Sequence, residues 1–262
     1  MKTLTEILPI LAKELSKENY FNKIILYLRL AFFAIVTKIF MKVFPVHFSF
    51  VYKKVPIAMT LHTLTDIGAL KEIFIDKEYE NFPDSDVNTI VDLGAHFGDT
   101  ALYYHACFPD AKIYAVEPSP ESYARLVRHT EKIENIIPIH AAIGDKNGKI
   151  PLHIMPSSLG NSLKNREGSV DVVMVSQLTL PALYEKYSIQ HADILKFDIE
   201  GAEFSAFKEI PIDTMATMCI GEVHEDLGDA TVDSFEEMFS AYSTVETDPL
   251  PKKGRYSFTA YN

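Results

Sequence analysis

The sequence predicts a Rossmann-like α/β fold: a seven-stranded, mostly parallel sheet with helices on both faces, preceded by an N-terminal helical extension. Three observations carry that expectation. From about Thr89 onward, short apolar runs alternate with helical patterns, which is the mark of βαβ units. The first of these runs ends in an acid and a glycine turn, Val91-Asp92-Leu93-Gly94-Ala95-His96-Phe97-Gly98-Asp99-Thr100, where a helix opens. The last two runs, near 243–247 and 255–261, read as a hairpin that closes the set at seven strands.

In chain order, a first strand covers 89–93 and a helix follows from about Gly98 to Phe108. A second strand, 112–116, leads to a helix with Ser119 as N-cap and Pro120 at its first position, where a missing N–H costs nothing. A third strand spans about Ile136 to Ala142, and two short extra strands, 150–155 and 169–177, flank a polar loop. The fourth strand is 193–198 and the fifth about Met218 to His224, followed by a helix from Asp233 to Tyr242. Residues 66–262 thus form the α/β domain, and residues 1–65 a basic and apolar helical extension.

Composition narrows the function classes. The 262 residues carry a net charge of −11, which argues against general nucleic-acid binding, because phosphate contacts need clustered Lys and Arg. Cys107 and Cys219 have no C-x-x-C or zinc spacing and sit in apolar segments, which suits a reducing, cytoplasmic setting. Lys and Glu interrupt any signal-like core near the start, and no stretch of about 18 uncharged apolar residues exists. Residues 19–65 contain Lys23, Arg29, Lys38, Lys42, Lys53 and Lys54 and no acid, a charge of +6. The expected roles for 20–54 are peripheral contact with a membrane surface, or packing on the catalytic domain or a second subunit.

The acid–glycine turn is the strongest local signal. In open α/β sheets ligands bind outside the carboxyl ends of strands, at the switch point. Gly94 would let backbone approach a ligand, and Gly98 would let helix and strand pack closely. A dinucleotide site wants G-x-G-x-x-G around a pyrophosphate, but Ala95, His96 and Phe97 fill the middle here. S-adenosylmethionine has no phosphate and tolerates side chains there. Glu117, in Val116-Glu117-Pro118, lies 23 residues after Gly94, near the offset at which a carboxylate takes two ribose hydroxyls. The plain alternatives are a structural turn and a solvated strand-end Glu.

Together with "LKFDIEGAE" (195–203), "VDLGAHFGDT" and "YAVEPSPESY" resemble the FkbM family of methyltransferases, and "AAIGD" and "GNSL" are further landmarks. The likeness covers about residues 66–225 and departs at Pro181, where the family often has Asp. It implies a class I methyltransferase fold, S-adenosylmethionine as cofactor, and O-methylation of a sugar, glycan, glycolipid or natural-product hydroxyl. The cofactor residues so implied are Asp92, Gly94, Ala95, His96, Gly98, Glu117, Pro118, Ala142 and Asp198.

An alcohol acceptor must lose its proton as it attacks, so a positioned base is expected. The candidate catalytic residues are Asp198, Glu200 and His224. Asp198 and Glu200 share a face if the strand runs on that far, with Lys196 as a possible partner of Asp198. Glu203 reads as a favourable charge at a helix N-terminus. Asp198, Glu200, Glu222 and His224 could hold a hard cation, but no metal spacing is visible and no metal is expected. The rival functions are a nucleotide-dependent oxidoreductase and a non-catalytic binding domain.

Overall fold

The computed structural model describes residues 45–82, 86–155, 161–163, 168–227 and 231–262. Residues 45–78 and 102–109 belong to one compact unit, and 79–101 with the described residues from 110 to 262 to a second.

The first unit corrects one expectation. Where a helical extension was predicted, β1 (Val46–Tyr52) and β2 (Val55–Leu61) form an antiparallel hairpin. Alternation decides it: Phe48, Phe50, Ile57 and Met59 point inward while their neighbours Ser49, Val51 and Ala58 face out. The turn residues Lys53 and Lys54 both take positive φ, 47° and 71°, the pattern of the tight turn that matches strand twist. Helix α1 (Leu64–Lys71) follows, started by a capping box in which Thr63 and Asp66 bond each other's backbone N–H. A π-helical turn, Glu72–Asp76, ends the segment. Phe50, Tyr52, Phe74 and Tyr103 pack edge to face or tilted within this unit. The helices expected within residues 1–44 lie outside the described residues, and no described helix is long and apolar enough to cross a membrane.

The second unit holds the predicted sheet. Its strands are β3 (Thr89–Leu93), β4 (Lys112–Val116), β5 (Ile136–Ile139), β9 (Ala192–Phe197), β10 (Ala216–His224), β11 (Thr244–Pro249) and β12 (Arg255–Tyr261). They lie in the order β11-β12-β10-β9-β3-β4-β5. Every pair is parallel except those made by β12, which runs against both β10 and β11. The chain moves outward from β3 to β5, returns, and builds the other half from β9, so the topological switch point lies between β3 and β9. The carboxyl ends of those strands are where such sheets bind ligands.

Helices α2 (Asp99–Cys107) and α3 (Pro120–Thr130) follow β3 and β4, and Ser119 caps α3 as expected. The expected third strand divides. Ile136–Ile139 stays in the main sheet, whereas β6 (Ala142–Ile143) leaves it and pairs with β8 (Asp171–Leu178), which also pairs with β7 (Gly148–Ile154). Thr179 caps α4 (Leu180–Tyr187), so Pro181 sits in a first turn that needs no N–H from it. The short helices α5 (Glu203–Phe207) and α6 (Ile212–Met215) bridge β9 to β10, and α7 (Val232–Glu237) precedes the final hairpin. Phe197, Phe207, Phe235, Phe239 and Phe258, all buried, form the aromatic centre of the core. Both cysteines are free thiols.

Candidate active site at the switch point

The loop after β3 is set by backbone bonds before any side chain acts. The N–H groups of Gly94 and Ala95 both donate to the Val116 carbonyl at 2.9 Å, folding the loop over the end of β4. Gly94 has φ +82°, and a Cβ there would stand 1.9 Å from the Asp198 carbonyl oxygen. The sequence reading gave this glycine to ligand approach; the structure adds that the neighbouring strand end already requires it. His96 takes φ +46°, uncommon for a side-chain residue. Its N–H donates to Glu117 Oε2 at 2.9 Å, and the Ser119 N–H donates to Oε1 at 2.7 Å. Burial pushes the Glu117 carboxyl up to about 8, despite those two N–H groups and Lys196, which act the other way.

Asp92 lies beneath the loop and is fully buried. Its Oδ2 accepts from the Thr100 hydroxyl at 2.5 Å, and its Oδ1 stands 3.2 Å from Lys196 Nζ. The same ammonium donates to the Gly94 carbonyl at 2.9 Å and lies over the Tyr79 ring. Burial alone would lower Lys196, but Asp92 and Asp198 outweigh it and hold the ammonium above its usual range. Lys196 therefore pairs with Asp92, not with Asp198 as expected. The reason is register: Asp92 and Lys196 are partners across the β3–β9 ladder.

The acidic end of β9 is a turn rather than a longer strand. The strand stops at Phe197, Glu200 takes φ +49° and Gly201 φ +95°. Glu203 holds this turn: its Oε1 accepts from the N–H groups of Ile199 (3.3 Å) and Gly201 (3.1 Å) and from His224 Nδ1 at 2.8 Å. It stands in the first turn of its own helix, as expected, and also bonds the turn before that helix. His224 is completely buried, with Nε2 at 3.4 Å from Glu222, 3.7 Å from Asp198 and 3.8 Å from Glu200. Burial resists a proton on His224, yet Glu203, Asp198 and Glu200 push the imidazole up to about 9. Burial and Asp198 raise Glu200, against His224 and Arg255. Arg255, from β12, reaches Glu200 at 3.0 Å.

These pieces wall a cleft that opens to solvent. Of the predicted residues, Gly94, His96, Glu117, Pro118, Ala142, Asp198 and Glu200 line it. Asp92, Ala95 and Gly98 do not: they build the loop from behind, and Gly98 lies against Leu126 of α3. His224 stands behind Asp198 and Glu200. Leu152, Asn161 and Leu163 also reach the cleft, from β7 and the segment after it. The sequence reading missed the weight of Lys196, Glu203 and Arg255. A lysine inside an apolar strand was the available signal, because an unpaired ammonium is almost never fully buried.

The sequence model of the methyltransferase FkbM domain matches residues 92–242. Methyltransferase 1 of Beauveria bassiana is 28% identical over 165 residues, covering 53% of this chain and 64% of that protein. Methyltransferase sdnD of Sordaria araneosa is 29% identical over 175 residues, covering 53% and 67%. The chain thus spans about two thirds of the length of these relatives. Among solved structures, an FkbM methyltransferase from Methylobacillus flagellatus aligns with 98% of this chain and 58% of its own at 14% identity, TM-score 0.47.

The buried pair yields a direct expectation. Lys196→Met leaves the Asp92 carboxylate uncompensated and should destabilise the protein by about 3–5 kcal/mol. Asp92→Asn added to Lys196→Met should recover much of that loss. Urea unfolding of the two single variants and the double variant measures the coupling; additive losses would contradict the pairing.

Proposed function

The chain belongs to the FkbM methyltransferase family, and we propose that it carries a methyl group from S-adenosylmethionine to a hydroxyl oxygen of a sugar, glycan, glycolipid or natural product. The observation that carries this reading is the placing of Asp198 and Glu200 on the same cleft as Gly94 and Glu117. The donor's chemistry suits the wall that would hold it. Glu117 keeps a lone pair on each oxygen beyond its two backbone bonds, enough for two ribose hydroxyls. Val116, Ala142 and Ile143 offer an apolar bed for a purine, and the Gly94–His96 backbone faces the amino-acid end.

When bound, S-adenosylmethionine supplies an electrophilic methyl carbon on a sulfonium. The protein's part is alignment and proton removal. Alignment in well-oriented systems is worth up to about 7–11 kcal/mol. Asp198, with its side chain about a third exposed, is the carboxylate open to an incoming hydroxyl and accepts its proton. Glu200 is held against Arg255 and turned toward the cleft by its left-handed backbone. Glu203 and His224 position both from behind. The basic segment 20–54 is proposed to rest on anionic membrane, which would suit a lipid-linked acceptor.

Asp198→Asn should keep donor affinity within a few-fold and lower turnover about 10²–10⁴-fold. Transfer from ¹³C-methyl-labelled donor, read by the carbon shift of the product, tells an O-methyl from an N-methyl; an N-methyl product would overturn the alcohol assignment. A carboxyl that holds its proton up to about pH 8 must release it to accept ribose hydroxyls, so donor affinity should rise with pH and level off above 8. Glu117→Gln should abolish that dependence and weaken binding by about 1.5–3 kcal/mol per bond lost. Calorimetry from pH 6 to 9 measures both, and a pH-independent wild type would contradict the assignment. Co-sedimentation with phosphatidylserine vesicles at low salt checks the membrane contact: the full chain should pellet, and lowering the charge of 20–54 should free it.

A further inference from the structure

We propose that Asp198, Glu200 and His224, with Glu222 beside the imidazole, form a site for one divalent cation of the manganese or zinc type, which accepts both imidazole nitrogen and carboxylate oxygen. The sequence carries no metal spacing because the ligands come from the ends of two strands, β9 and β10, that meet only in the folded sheet.

Two buried atoms point to the ligand. His224 is completely buried, and its Nε2 has no hydrogen-bond partner among the described residues, although three carboxylates surround it. Asp198 Oδ1, at 3.7 Å, is likewise buried without a hydrogen bond. The separations of 3.4 to 3.8 Å are too long or poorly aligned for good hydrogen bonds. With bonds of about 2.1 Å, ligands of one cation stand about 3.0 Å apart at right angles and about 3.4 Å at the tetrahedral angle, so a shift of a few tenths of an ångström would bring these atoms onto one ion. One ligand atom from each of Asp198, Glu200 and His224 lies within 4.8 Å of the others.

The other ring nitrogen supports the same reading. Glu203 Oε1 already accepts two backbone N–H groups, and a carboxylate is an acceptor, so Nδ1 is the donor in the 2.8 Å contact. Metal-binding histidines almost always give their second N–H to a carboxylate or carbonyl in this way, which fixes the tautomer and aims the free nitrogen at the ion. Charge agrees. Asp198, Glu200, Glu203, Glu222 and Asp226 face two permanent cations, Arg255 and Lys252, so carboxylates outnumber the fixed positive charges around the imidazole. Arg255 approaches Glu200 and Glu222 as well and holds both carboxylates in place.

Asp198 and Glu200 also line the cleft, so the cation would touch an acceptor hydroxyl and polarise it. That role rests on the alcohol reading above; the site itself does not. The test uses the full chain, stripped with chelator and titrated with Mn²⁺ alone, with free ion followed by electron paramagnetic resonance. One ion per chain should bind, and Mg²⁺ or Zn²⁺ should compete. Glu203→Gln should weaken binding about 10–100-fold, and His224→Gln at least as much. Glu222→Gln, at a partly exposed position, decides the matter if His224→Gln fails to fold, and should also weaken binding at least tenfold. Absence of stoichiometric Mn²⁺, or an affinity unchanged in Glu222→Gln and Glu203→Gln, overturns the site. Donor binding measured in parallel without metal keeps the two readings apart: its failure would count against the methyl-donor assignment alone.

Discussion

One buried ammonium organises this protein. Lys196 sits in β9 opposite Asp92 in β3, and its Nζ spans from that carboxylate to the carbonyl of Gly94. It joins the two strands that flank the switch point and fixes the first residue of the loop between them. Two charges taken from water are costly, so the pair contributes little net stability over an apolar replacement. What it contributes is position. With Gly94 tied on one side to Lys196 and on the other to the Val116 carbonyl, the loop lies flat against Asp198, where a side chain would not fit. His96 is then carried to Glu117, and the wall of the cleft is complete.

Charge is distributed unequally across the site, and that division follows the chemistry. On one side, Glu117 is buried and held by two N–H groups, an ordered acceptor. On the other side, several carboxylates crowd around one imidazole and one guanidinium. Like charges at such distances persist because Glu203, fully buried, binds the turn from behind through two backbone N–H groups and holds His224 through a third hydrogen bond. The left-handed backbone of Glu200 costs of order 1–3 kcal/mol and is retained where it aims a carboxylate at the cleft. The proposed transfer to an alcohol would use this asymmetry, with an ordered donor bed beside a group that takes up a proton.

The main sheet was legible because its signals are local. Apolar runs between helical patterns, the acid–glycine turn, and the Ser119-Pro120 helix start each follow from a few neighbouring residues, and each element stands within a few residues of its predicted place. The β1–β2 hairpin was not legible, because Lys53 and Lys54 fill a turn that usually announces itself with Asn or Gly, and the basic run suggested a helix. The break between Ile139 and Ala142 was hidden for a different reason: it depends on β8, more than 25 residues later, as a pairing partner. Within the site, glycine and acid positions were visible in the sequence, but their division of labour was not. Asp92 supports the loop because Lys196 faces it across a ladder, and Glu203 bonds backward because the turn bends to meet it. Both are facts of register and turn geometry that spacing alone does not encode.

The proposed donor site lies between the Gly94 loop and Glu117, with the donor's reactive end toward Asp198. A crystal structure of the full chain with S-adenosylhomocysteine tests it most directly. Ribose hydroxyls should lie on the Glu117 carboxylate, the purine on Val116 and Ala142, and the sulfur nearest Asp198, with Lys196 still bound to Asp92. Ligand density elsewhere, or a ribose that leaves Glu117 untouched, would contradict it.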